Sequence, residues 1–139
     1  NGSTEVYLPA KQLFTDYAHK LRTAWIPAGK SAKLIDEEIV YPVGTVLTKT
    51  FYYPKDQNGT LLKVADKTPL AVDTQKNQLI ETRVLVKRDA GWDALPYVWN
   101  DEQTEAFLRV AGASKPINLK TETNENLDFV YFVPNGNQC

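Results

Sequence analysis

Hydrophobic and polar positions along this chain alternate with a period of two more often than with a period of three or four. Over Leu79 to Arg88 (LIETRVLVKR), Ile80, Thr82, Val84 and Val86 fall on one face, while Glu81, Arg83 and Lys87 share the other with Leu79 and Leu85. That is the pattern of a strand with one half-wet face. Thr45 to Tyr53 (TVLTKTFYY) is rich in β-branched and aromatic residues and is closed off by Gly44 and Pro54, which predicts another strand. Asn58-Gly59 beyond it is a strong turn signal. Asp89-Ala90-Gly91 predicts a turn into a strand over Trp92 to Trp99 (WDALPYVW), where Pro96 argues for an edge position or a bulge. Asn100 to Arg109 reads two ways. Asn100 with Gln103 suits a capping box, yet Thr104, Ala106 and Leu108 alternate as a returning strand would, and the hairpin is preferred. Ile117 to Lys120 and Leu127 to Val133 complete the strands; the last (LDFVYFV) is apolar on both faces, which predicts a central place in its sheet. One stretch has helical spacing: Leu13, Phe14, Tyr17, Ala18 and Leu21 predict a short amphipathic helix over Gln12 to Arg22, between Pro9 and Pro27.

The expected fold is therefore mainly β, an antiparallel sheet or sandwich of about six or more strands with one short N-terminal helix. A length of 139 residues suits a single β-rich domain spanning 1–139, large enough to bury a core. An apolar fraction of 42% and a net charge of -1 describe a soluble globular protein and exclude a polybasic nucleic-acid binder or an acidic tail. No apolar run approaches the roughly eighteen residues of a membrane span. The chain starts at Asn1 and contains no methionine, so a processed or excised segment is expected. A single cysteine provides no internal disulfide and does not by itself set the compartment.

Candidate chemistry is sparse. Lys49, Glu81 and Arg83 belong to two predicted strands and together suit a charge-lined pocket that orients a ligand or propionate groups; the plainer reading is the wet side of a half-exposed sheet. Trp92, Tyr97 and Trp99, close to Pro96, suit a stacking platform for a sugar, a partner or a porphyrin edge, although core packing is the commoner use of such residues. Trp92 and Trp99 are an odd number of positions apart, so an unbroken strand points them to opposite faces. His19 is the only histidine, and a solvated helix-surface position is its plainer role. With one histidine and one cysteine the chain has no zinc centre of the usual composition. The run Asp36-Glu37-Glu38 reads as a solvated loop, and Asn58-Gly59-Thr60 as a turn rather than a glycosylation site.

The C-terminal residues change the picture. Asn135-Gly136-Asn137-Gln138-Cys139 places the one thiol directly after an apolar strand, as in the opening of a haem-attachment motif N-Q-C-x-x-C-H. Four further segments accompany it: Leu13 to Ala18 (LFTDYA), Tyr41 to Phe51 (YPVGTVLTKTF), Leu79 to Val86 (LIETRVLV) and Gly91 to Thr104 (GWDALPYVWNDEQT). Together, in this order, they resemble a family of bacterial periplasmic proteins described as conserved hypothetical c-type cytochromes. A remoter similarity exists to cytochrome P460 and the β-type cytochromes c′, in which a Pro-x-Gly-x-x-x-x-Lys strand entry precedes a β-sheet carrying a C-terminal C-x-x-C-H. The resemblance implies a periplasmic or otherwise extracytoplasmic β domain leading into a haem segment. It implies haem c in the intact protein, Cys139 as the first thioether position, and electron transfer with a redox partner protein. Two other readings stand beside it. One is a non-haem binding or assembly module using the aromatic patch or an edge strand; the other is a haem enzyme of the P460 type, with an open iron position beside Lys49 or Arg83. Oligomeric state and substrate are not legible.

Overall fold

Among residues 17–136, which the computed structural model describes, the chain forms ten strands and no helix. In chain order these are β1 (His19–Trp25), β2 (Lys33–Ile35), β3 (Glu38–Val40), β4 (Val46–Pro54), β5 (Leu61–Leu62), β6 (Asn77–Arg88), β7 (Gly91–Trp99), β8 (Ala106–Leu108), β9 (Ala113–Lys120) and β10 (Asn126–Val133). A five-stranded antiparallel sheet runs β1-β4-β6-β7-β8, and a three-stranded sheet runs β10-β9-β5, with β5 joining parallel to β9. A separate hairpin pairs β2 with β3. Its two turn residues, Asp36 and Glu37, both adopt positive φ, at 50° and 66°. That is the handedness a two-residue hairpin turn favours, so the acidic run is a turn and the start of a strand rather than a loop.

The two larger sheets share one core. Phe51, Tyr53 and Ile80 come from the five-stranded sheet and Ile117, Leu119, Tyr131 and Val133 from the three-stranded one, all buried. Burial in β9 and β10 alternates with period two, with odd-numbered residues turned inwards. Each fully buried aliphatic or aromatic side chain there contributes about 1.5–3 kcal/mol of transfer free energy.

Three sequence expectations meet the structure directly. The strands expected over Thr45 to Tyr53, Leu79 to Arg88, Trp92 to Trp99, Ile117 to Lys120 and Leu127 to Val133 are all present. The hairpin reading of Asn100 to Arg109 holds too: Asn100 closes the turn by accepting from the Thr104 and Glu105 amides at 2.9 and 3.2 Å, and β8 returns along β7. Pro96 lies one residue beyond the Tyr97–Leu108 pair; its carbonyl accepts from Arg109 N at 2.8 Å, and Arg109 O accepts from Gly112 N at 2.9 Å, so the missing Pro96 N–H leaves that acceptor satisfied.

Two expectations are corrected. The short N-terminal helix is not seen. His19–Arg22 lie in β1, paired residue for residue with Tyr52–Lys49 of β4, while residues 12–16 fall outside the described part. The open edge of β4 offers β1 seven residues of antiparallel pairing, and this long-range contact overrides a locally helical spacing. β10 is not central but an edge strand. Its inner face supplies Tyr131 and Val133 to the core, while Val130 and Phe132 stand 46% and 70% exposed on the outer face.

After β10 the chain crosses to the free side of β7. Gly136 N donates to Val110 O at 2.9 Å, and Gly112, at φ +85°, sits so close to β10 that a Cβ there would meet Val133 O at 2.6 Å. Gly59 has a similar φ of +81° with nothing within 4 Å of a Cβ. In urea unfolding, Gly59→Ala should therefore cost about 1 kcal/mol, from backbone conformation alone. Gly112→Ala should cost at least about twice as much, because a steric clash adds to the same strain. Equal losses would show that the β10 exit is not tightly packed.

Candidate functional site

Strand register decides which charged side chains meet. Reading across the five-stranded sheet, Arg22, Lys49, Arg83 and Pro96 are direct neighbours on β1, β4, β6 and β7. The adjacent row is Lys20, Phe51, Glu81 and Val98. Both rows lie on the face turned towards the second sheet, since Phe51 and Glu81 are fully buried in contact with Tyr131. With strands about 4.8 Å apart, the backbone positions of Arg22, Lys49 and Arg83 span about 10 Å.

Glu81 is the hub. Arg83 donates to its two carboxylate oxygens, from Nε at 3.1 Å and Nη2 at 2.7 Å, and Tyr131 Oη donates at 2.5 Å from the opposite sheet. The fork of the guanidinium matches the carboxylate, and the charge-assisted bonds replace lost water. Burial and the adjacent Glu81 charge hold the Tyr131 phenol well above its ordinary range, so it stays protonated and donates. The Arg83 guanidinium also lies 4.2 Å from the Phe51 ring centroid, a cation–π contact that fixes its plane.

Among the described residues Lys49 has no carboxylate partner, although its Nζ lies 5.9 Å from the Phe51 ring centroid. Burial first, and then the charges of Arg22, Arg83 and Lys20, lower it to about 8 against the opposing pull of Glu81. Lys20 is lowered for the same reasons, burial first and Arg22 next, with Asp66 acting the other way. Four cations thus crowd a patch whose one buried carboxylate is already engaged.

The sequence-derived candidates separate on this frame. Lys49, Glu81 and Arg83 are brought together. Trp92 shares their face but sits four residues along β7 from Pro96, about 13 Å away, where it packs edge-on against Tyr41 and under Lys87. Tyr97 and Trp99 occupy the opposite face, and Trp99 Nε1 donates to Thr82 Oγ1 at 3.0 Å, within a threonine ladder that includes Thr50. The three aromatics therefore form no single platform. His19 is not a solvated surface group: it is buried, stacks edge-on against Tyr52, and donates from Nε2 to Val64 O at 2.7 Å. It borders an open groove of about 660 Å³ lined also by Tyr17, Lys63, Asp66 and Glu122. Cys139 lies outside the described residues.

Among the described residues the single histidine is committed through Nε2, and no group of three His, Cys, Asp or Glu side chains converges as metal ligands. The residues that sequence reasoning missed are Arg22, Lys20 and Tyr131. The first two fall in the stretch of helical spacing, and the third in a strand whose partner sheet the alternation does not reveal. Comparison of the chain with protein-family models, with curated proteins and with solved structures found no match.

The lowered Lys49 makes stability depend on pH in a stated direction. Between about 8 and the ordinary lysine value of 10.5, the unfolded chain holds a proton that the folded protein lacks, so stability rises with pH across that window. Lys49→Met should raise stability at pH 7 by up to about 1 kcal/mol, the scale of directly opposed like charges. It should also flatten the rise above pH 8. A variant that loses stability at pH 7, with the alkaline rise intact, would contradict this.

Proposed function

We propose that the chain is the β domain of a periplasmic c-type cytochrome-like protein, which positions a haem segment beginning at Cys139 for electron transfer with a redox partner. The ordered likeness of five separated segments to such proteins supports this reading. The structural observation that carries it is the way the chain leaves the fold. Backbone packs on backbone at Gly112 and Val133, and again at Gly136, where a Cβ would meet Ala94 O at 3.1 Å. Whatever follows Gly136 therefore starts from a fixed point beside β7, and a tether held on rigid elements orients its group better than one on a free loop. Haem supplies one-electron chemistry when attached. The residues described here would act on it through burial, hydrogen bonding and solvent access. A second reading, an assembly module with no haem, is favoured by the exposed Val130 and Phe132 on the β10 edge.

The test is to produce the protein with its native continuation past Cys139 in a bacterium that attaches haem c. The expected result is a Soret band and a covalent haem mass increment, with the increment lost or made labile in Cys139→Ala. A folded protein with neither would overturn the proposal.

A further inference from the structure

We propose that Lys20, Arg22 and Lys49, set beside Arg83 on the inward face of the five-stranded sheet, form a binding site for a small free oxyanion of the phosphate or dicarboxylate class. The inference does not rest on the haem reading. Its ground is a charge imbalance fixed by register. Arg22 stands directly opposite Lys49, and Lys49 directly opposite Arg83, across three adjacent strands. Like charges placed so destabilise a sheet. None of the three is splayed into bulk water: Arg22 and Lys49 are half-buried, and the Arg83 side chain is 12% exposed. Among the described residues, the carboxylates that face the group are Glu81, from β6, and Asp66, beside Lys20. Glu81 is taken up by Arg83 and Tyr131, and Asp66 accepts from the Lys20 and Thr68 amides. Among the described residues neither Arg22 nor Lys49 has a carboxylate within ion-pair distance.

An oxyanion resolves each of these features. Two lysines and an arginine on adjacent strands place flexible donors at neighbouring positions of one face, while the Glu81-bound Arg83 supplies a fixed positive field beside them. Binding replaces mutual repulsion with charge-assisted hydrogen bonds. Bound anion favours the charged amine, so occupancy and the protonation of Lys49 are linked. Affinity should fall as pH rises through about 8, where Lys49 discharges.

The experiment is a titration of the lysine side chains by NMR, with 13C label at Cε, in inorganic phosphate, in succinate, and in sodium chloride at the same ionic strength. The expected result is a Lys49 midpoint near 8 in chloride. Phosphate or succinate should move it upwards by about half a unit or more, and whichever is more effective names the class. Arg22→Gln should raise the Lys49 midpoint without anion and weaken anion binding about tenfold, the loss of one charged hydrogen bond. Lys33→Gln, on the separate hairpin, should change neither. A midpoint unmoved by phosphate and succinate, or moved equally by chloride, would overturn the proposal. If Arg22→Gln fails to fold, the comparison of anions on the unaltered protein still decides.

Discussion

A carboxylate sealed between two sheets must find replacements for water, and Glu81 finds them in the Arg83 fork and the Tyr131 hydroxyl. The desolvation cost of such a group offsets much of its Coulombic gain, so the network is better understood as positional than as a large net stabiliser. Tyr131 reaches it only when β10 lies in one register over β6, and Phe51 closes the same spot by contacting both Tyr131 and Arg83. One polar contact therefore ties the alignment of the two sheets to the orientation of a guanidinium.

The same engagement has a consequence at the open side of the face. With Glu81 saturated, the antiparallel pairing of β1, β4 and β6 still forces Arg22, Lys49 and Arg83 side by side. Burial first, and that crowding next, hold Lys49 low. The crowding is a feature of backbone pairing and not of mobile surface side chains, which would move apart. The β10 exit holds the chain beside β7 through Gly112, which leaves no room for a side chain, and Gly136, where a Cβ would be tight against Ala94 O. The domain thus presents a cationic face and a fixed point of departure, held by one framework.

Much of the framework was legible in the sequence. Alternation over Leu79 to Arg88 placed Glu81 and Arg83 on one face, and the Thr45 to Tyr53 strand supplied Lys49. Period-two patterning, however, says which residues share a face without saying which strands are neighbours. Arg22 was hidden because Tyr17, Ala18 and Leu21 have helical spacing, and only the pairing with β4 reveals β1 as a strand. LDFVYFV read as central because both its faces are apolar, yet the strand count left it at an edge with Phe132 in solvent. Composition recognised the aromatic trio but could not divide it; strand parity separated Trp92 from Trp99, and the structure then put Tyr97 with Trp99.

The central claim is that Glu81 and Tyr131 act as a coupled unit across the two sheets. A double-mutant cycle on unfolding free energy measures it, using Glu81→Gln, Tyr131→Phe and the pair. Removing the buried carboxylate charge should cost about 3–5 kcal/mol, and the account predicts a coupling with Tyr131 above about 1 kcal/mol. Additive losses, within about 0.5 kcal/mol, would mean that the two side chains are merely adjacent and that the sheet alignment is set elsewhere.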